Sequence, residues 1–449
     1  MAQTAAMLWF ERPLLAVLRR EYARAMRFSE QDDAVAVLPP APAGPCQLYV
    51  HVPFCETLCP FCSFHRVRVN PSKTTRYFDA LRREIGLYHA AGFRFADVYV
   101  GGGTPTVDPD LLIGLLDAVR AASPVRAISI ETNPNHLQPE VLRRYRAAGV
   151  TRLSVGVQSF DDALLERMER RDKYGNGEQI AERLAAAQGI FPTLNVDMIF
   201  NLPGQTMATL ERDLERLLAL GVDQVSFYPL MVARSARHAM ARSMGLADEG
   251  LRHPMYERIL ERLMPSYRAA SAWCFSRVEG MFDEYIIDQD DYVGVGSGAF
   301  SYVGGAMSST TFSLAHYCRR VESGQTGITQ RRALSARERM RYDYLMRLFG
   351  GELRHQDMRR RWGRAFALRM APELAAMRLL GATHHDADAI RLTRRGMYVW
   401  VLMMAEFFNA VNNVREHMRE HVRTELEAWN EEARVPVAAI GTLPQARSS

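Results

Sequence analysis

Lysine is almost missing from this chain of 449 residues: Lys73 and Lys173 are the only two, although Lys and Arg together number 56. Arginine therefore carries the positive charge, and a net charge of +5 is mild for the length. Such a bias reflects composition before it reflects nucleic-acid binding. Long apolar runs are missing as well. The longest, at 397–405, is too short to span a bilayer and reads as a buried helix. The apolar stretch at the N-terminus is broken by Glu11 and Arg12, which excludes a secretory signal and leaves a cytoplasmic protein as the expectation. Cysteine is scarce, six in all, and three of the six fall within eight residues. That spacing fits a metal site in a reducing compartment better than a disulfide framework.

What is present is a chain 48% hydrophobic, enough for one large domain and a smaller one. Residues 7–26 carry Leu8, Leu14, Leu15 and Leu18 at helical spacing, a helix expected to pack on the main domain or to lie at a membrane surface. Strand-like runs follow at 48–53, 97–100, 127–131, 152–157, 193–200 and 224–229. Helical patterns at 75–89, 110–121, 139–148, 161–169, 177–188 and 207–220 alternate with them. The alternation predicts parallel strands with right-handed crossovers, an α/β chain built as a partial (β/α)6 TIM-type barrel. After residue 234 the rhythm changes to helices, a glycine-rich stretch at 294–301 and an arginine-rich helical region from 334. Leu392-Thr-Arg-Arg-Gly396 reads as a wing-like turn, so the additional C-terminal domain is expected to be mainly helical and winged-helix-like. The expected division is 1–46 helix and linker, 47–234 barrel, 235–334 barrel extension, 335–434 C-terminal domain and 435–449 flexible tail.

The segment that carries chemistry is Tyr49-Val-His-Val-Pro-Phe-Cys55-Glu-Thr-Leu-Cys59-Pro-Phe-Cys62, directly after the first strand. Thiolates are the soft ligands of iron–sulfur clusters, and a cubane normally takes four. Three cysteines leave one iron open to a small molecule. Zinc is the alternative, but its sites usually add a second close pair downstream, whereas Cys274 and Cys318 are isolated and read as core residues. His51 and His65 flank the loop and read as structural.

Cys-x3-Cys-x2-Cys with an aromatic residue before the last cysteine resembles the radical S-adenosylmethionine (SAM) superfamily, and Tyr-x-His-x-Pro-Phe-Cys resembles its branch of oxygen-independent coproporphyrinogen III oxidase-like proteins. The resemblance runs over 48–317. It implies a [4Fe-4S] cluster on Cys55, Cys59 and Cys62, with the methionyl group of SAM on the open iron and Tyr49 beside the sulfonium. Reductive cleavage of SAM then yields a 5′-deoxyadenosyl radical, with the electron from an external donor such as flavodoxin or ferredoxin. Gly101-Gly-Gly-Thr-Pro-Thr106 matches the family's SAM-binding glycine motif, placing Gly102, Gly103 and Thr104 nearest the methionyl part. Glu131, Gln158, Arg170 and Asp197 are implied SAM contacts, with Arg171 an alternative to its neighbour. Taken singly, each of these would be a satisfied polar residue at a barrel rim; their place on successive strands favours a site.

Two departures bear on the branch. Cys62-Ser-Phe64 has phenylalanine where the oxidases carry a further cysteine, and Phe282-Asp283 stands where the haem chaperones resemble one another in a His-Asn pair. What remains resembles radical SAM methyltransferases that hold two SAM molecules and methylate an sp2 carbon of a conjugated ring such as haem, a quinone or an aromatic metabolite. On that reading Gly296 and Gly298 hold the second SAM or the substrate, and Glu284, Tyr285 and Asp288 serve acid–base steps. Oxidative decarboxylation and haem trafficking are the alternatives. The C-terminal arginines, among them Arg337, Arg341, Arg360 and Arg361, are read as a solvated or substrate-facing surface, with nucleic acid or a peripheral membrane contact as lesser readings of a monomer.

Overall fold

The computed structural model describes residues 2–30, 38–278 and 291–432. Six strands run parallel: β1 (Cys46–Val52), β2 (Phe95–Gly102), β3 (Ala127–Thr132), β4 (Arg152–Gln158), β5 (Thr193–Phe200) and β6 (Gln224–Pro229). One face of each is apolar, with Val50, Val100, Ile130, Val155, Val196 and Val225 buried. The covering helices are α2 (Pro71–Ala90), α3 (Pro109–Ala122), α4 (Pro139–Ala147), α5 (Asp162–Arg167), α6 (Gly177–Ala187) and α7 (Met207–Leu220). Their ends agree with local rules: Asn176 and Gln179 form a capping box on α6, and α7 stops at Gly221 in the left-handed conformation.

The inner face is polar, which is unusual for a barrel core and is solved by pairing across strands. Arg152 donates to Gln224 Oε1 at 2.7 Å and to Ser129 Oγ at 3.0 Å. Ser154 donates to Asp197 Oδ2 at 2.8 Å, Asn195 Nδ2 to Asp197 Oδ1 at 2.8 Å, and Ser226 to Asn195 Oδ1 at 3.2 Å. The period of two therefore sorts helix-facing valines from a connected interior network.

The six strands are the middle of a longer sheet. A seventh, β7 (Tyr292–Val295), pairs parallel to β1, and an antiparallel meander of Phe300–Val303, Ala306–Thr310 and Ile328–Ala333 continues from it. Beyond β6 the sheet ends with antiparallel Cys274–Ser276 and Arg268–Ala269. Among the described residues thirteen strands form this sheet, and its two ends do not pair.

The C-terminal domain joins helix Ala336–Phe349 to a small antiparallel sheet of Glu352–Arg354, Ala389–Leu392 and Thr383–His385. The hairpin turn lies at Asp386, not at Leu392-Thr-Arg-Arg-Gly396. Thr393 instead caps α8 (Arg394–His421), its Oγ1 accepting from Gly396 N at 2.9 Å. The apolar run within α8 is core: Trp400 is buried and donates to Leu345 O at 3.0 Å. The arginines of this domain are widely paired inside the chain, Arg337 and Arg341 with Glu373, Arg361 with Asp343 and Arg360 with Asp357. A last helix, α9 (Arg423–Glu432), follows.

The N-terminal helix α1 (Ala2–Ala25) packs chiefly on α8, and its Arg24 carbonyl accepts from Arg332 of the meander at 2.6 Å. Arg19 forms a two-point pair with Glu406, and Tyr22 meets Phe407 edge-on at 5.7 Å. No helix among the described residues is long and apolar enough to cross a membrane.

Candidate active site

The loop after β1 is the first structure at the carboxyl ends of the strands. Cys55 and Cys59 are buried and Cys62 is partly exposed. Short bonds fix the loop from several elements. Arg66 donates to the carbonyls of Cys59 and Cys62, the latter at 2.9 Å. Glu56 meets Lys173 at 2.6 Å and accepts from Asn135 at 2.9 Å. Burial would raise the Glu56 carboxyl, but His136 and Lys173 hold it down at about 2. Both lysines of the chain serve this region, since Lys73 sits 4.6 Å over the Trp429 ring, and Trp429 stacks on Phe54 and donates to Arg68 O at 3.0 Å.

Among the described residues no three His, Cys, Asp or Glu side chains close around a single ion. A cubane takes one thiolate per iron, so its thiolates stand farther apart than the ligands of one zinc. The donors otherwise fit an anionic cluster. Arg170 Nη1 lies 3.5 Å from Cys59 Sγ, Thr104 Oγ1 donates to Cys55 Sγ at 3.6 Å, and the Nε groups of Arg66 and Arg170 have no partner.

The glycine run packs against this loop. Gly103 N donates to Val52 O at 2.8 Å, and a β-carbon on Gly103 would stand 2.6 Å from Phe54 O, so only glycine lets the strand end come so close. Gly102, at φ +116, donates its N–H to Glu131 Oε2 at 3.1 Å. Tyr99 donates to the other oxygen, Oε1, at 2.8 Å. Burial raises the Glu131 carboxyl above the usual range, and these two bonds oppose it.

Tyr49 is held by a chain of buried rings. The His65 carbonyl can only accept, so His51 donates to it from Nε2 at 2.8 Å, and His51 Nδ1 must accept from Tyr49 Oη at 2.9 Å. Burial lowers His51 to about 4, which keeps it neutral and fixes this tautomer. His65 in turn contacts Ser297 Oγ at 3.1 Å.

Gln158 ends β4 at φ 75, the left-handed region, and the β4–β5 register shifts beside it. A non-glycine residue held there is a form of strain that gathers at functional sites. Of the two adjacent arginines, Arg170 is the one that reaches the loop: it is buried, lies 4.2 Å over Tyr174 and donates to Asn133 Oδ1 at 3.2 Å. Arg171 turns outward to Asp162 and Glu166.

Gly296 and Gly298 call for a correction. Their stretch was expected to open onto a ligand, yet it is a buried turn whose donors are spent internally. Gly296 N donates to Glu84 Oε2 at 3.0 Å, Ser297 N to Tyr77 Oη at 2.8 Å and Gly298 N to Thr311 O at 3.0 Å. Glu284, Tyr285 and Asp288, with Phe282 and Asp283, lie outside the described residues. Cys274 and Cys318 are core residues. Sequence reasoning missed Arg66, whose place four residues after Cys62 was a usable signal.

Two cavities lie between α1 and α8 and the sheet. The larger, about 990 Å³, is lined by Gln330 of the meander, by Val232 after β6 and by residues of α1 and α8. The smaller, about 200 Å³, reaches Asn201 and Leu230.

Residues 49–217 match the model of the radical SAM superfamily. The chain is 33% identical over 282 residues to the heme chaperone HemW of Mycobacterium tuberculosis, covering 60% of this chain and 72% of that one. It is 28% identical over 411 residues to the oxygen-independent coproporphyrinogen III oxidase of Escherichia coli, covering 84% and 88%. The solved structure of coproporphyrinogen III oxidase HemN from Escherichia coli shares the fold, with a TM-score of 0.72 at 24% identity over 85% of this chain and 95% of that one. That superfamily works with a [4Fe-4S] cluster and SAM, and the donors assembled here suit both. The chain belongs to the radical SAM superfamily, in the family of the oxygen-independent coproporphyrinogen III oxidases and HemW.

Proposed function

We propose that this chain is a radical SAM enzyme acting on a conjugated ring of the tetrapyrrole kind. The observation that carries the substrate class is the cavity of about 990 Å³ between α1, α8 and the sheet. Met26, Phe28, Val414 and Met418 give it apolar wall, and Arg27 and Arg237 stand on its lining beside Glu416 and Glu420, with Arg19 engaged by Glu406. A flat apolar ring with anionic side groups suits such a surface. Relatives named for heme and for coproporphyrinogen support the same class.

When bound, the cluster and SAM supply a 5′-deoxyadenosyl radical by one-electron cleavage of the sulfonium. Cys55, Cys59 and Cys62 hold the cluster on this reading. Gly102, Gly103 and Thr104 bring backbone against the methionyl group, and Glu131, Gln158, Arg170 and Asp197 complete the SAM pocket. His51 fixes the direction of the Tyr49 hydroxyl. Glu131→Ala is expected to weaken SAM binding by about 1–3 kcal/mol, because it removes a charged acceptor and frees Tyr99 and Gly102 to shift. Anaerobic titration checks this, and an unchanged affinity contradicts it.

For the bond made on the ring, two readings each have an observation. Methyl transfer from a second SAM to an sp2 carbon is supported by Phe64, which fills the position of the oxidases' further cysteine and lies 5.0 Å from the Arg415 guanidinium. Oxidative decarboxylation of a propionate is supported by the match to the oxidase over 84% of the chain. SAM with a fully deuterated methyl group separates them. Methyl transfer puts one deuterium into 5′-deoxyadenosine, leaves two in the product and releases S-adenosylhomocysteine. Decarboxylation gives unlabelled 5′-deoxyadenosine and carbon dioxide. Tight haem binding with neither product supports haem trafficking instead and contradicts both.

A further inference from the structure

Helix α8 sends an arginine toward the barrel that no carboxylate of the described residues meets in an ion pair, with Glu131 its longer-range counter-charge. Arg415 is only 5% exposed. Its guanidinium lies 5.0 Å from the Phe64 ring centre and 5.6 Å from that of Phe300. One N–H reaches Asn412 Oδ1 at 3.0 Å, while Nε has no hydrogen-bond partner. Among the described residues it has no carboxylate in ion-pair contact. One turn further, Arg419 also has an unpartnered Nε among the described residues, but it meets Glu416 at 3.5 Å and has Arg66 and Cys62 as charge neighbours, which sets it beside the cluster loop.

A guanidinium withdrawn from water without a counter-ion is costly, on the order of several kcal/mol, unless an anion arrives. The anion has two sources, the cluster with its SAM or the substrate. Arg66 and Arg170 already serve the cluster, touching the Cys59 carbonyl and sulfur. Arg415 instead rests on Phe64 and Phe300, and Phe300 lies 5.9 Å from Phe28, a wall of the large cavity. The contact also gives Phe64 a physical role, since a cation over an aromatic face is held in place while its N–H groups beyond the one on Asn412 stay available.

We propose that Arg415 receives a carboxylate of the ring substrate and so sets which edge of the ring faces Tyr49. This rests on the ring-substrate reading above. A two-point Arg–carboxylate contact fixes orientation as well as affinity.

The test compares coproporphyrin III with its tetramethyl ester, binding each to the reconstituted, SAM-loaded protein under anaerobic conditions by fluorescence. Wild type is expected to bind the acid at least about tenfold more tightly, the size of one charged contact. Arg415→Met should bring acid and ester to near equality by weakening the acid alone, and Arg415→Lys, which keeps charge without the fork, should restore part of the preference. Equal binding of acid and ester by wild type overturns the assignment without recourse to any variant. If Arg415→Met weakens acid and ester alike, or loses iron or SAM affinity instead, the arginine is structural or serves the cluster, and the assignment falls while the ring reading stands. If wild type binds neither compound, the ring reading falls and takes this one with it.

Discussion

Replacing Cys59 with alanine is expected to abolish reductive cleavage of SAM, with 5′-deoxyadenosine falling to the background of a protein-free control. Cys59 is buried and held at both its carbonyl and its sulfur. Its carbonyl accepts from Arg66, and its sulfur lies 3.5 Å from Arg170. On the cluster reading, removing its thiolate takes away one of three protein ligands and leaves the buried Arg170 guanidinium without the sulfur it faces. Cys274→Ala is the matched control: that cysteine is fully buried in the strand beside β6, and its loss costs packing but no ligand. Iron content and 5′-deoxyadenosine, measured together, should separate the two variants completely. Cleavage that survives Cys59→Ala contradicts the cluster assignment.

The second large effect is on stability. Glu84 faces inward from α2 and accepts from Gly296 N at 3.0 Å, Gly327 N at 2.6 Å and Tyr317 Oη at 2.7 Å. It thus ties α2 to the turn after β7 and to the helix Leu314–Glu322. Burial raises its carboxyl above the usual range, and these three bonds oppose the rise. Glu84→Ala leaves three buried donors without an acceptor, each worth about 1–3 kcal/mol, so a loss of several kcal/mol is expected. Glu84→Gln should cost less, because one oxygen can still accept while the amide nitrogen cannot serve a backbone N–H. Urea unfolding midpoints in the order wild type, Glu84→Gln, Glu84→Ala check this; equal midpoints contradict it.

The central strands were legible because each carries a helix-facing row of Val, Leu or Ile bounded by turn residues, as in Thr193–Phe200 and Gln224–Pro229, which match residue for residue. The cluster loop was legible because three thiols in one short loop have few other uses. Arg170 could not be told from Arg171 in sequence, since the choice depends on which way the chain turns after Glu169, a residue at φ 56. The stretch around Gly296 and Gly298 misled for a general reason: glycine is needed where a ligand approaches backbone, and equally where a side chain does. Here a β-carbon on Gly298 would lie 2.7 Å from His65 Cδ2. Arg415 was invisible because its neighbours Phe64 and Phe300 are far away in sequence, and only the packing of α8 against the sheet brings them together. The N-terminal helix was legible as a helix, but its packing on α8 was not, because the Arg19–Glu406 pair joins nearly opposite ends of the chain.

The most direct measurement is electron paramagnetic resonance of the anaerobically reconstituted and reduced protein, before and after SAM is added, beside an iron count. About four irons per chain are expected, with a cluster signal whose g-values move when SAM occupies the iron that no protein thiolate holds. A signal indifferent to SAM, or stoichiometric zinc in place of iron, would contradict a SAM-binding cluster on Cys55, Cys59 and Cys62.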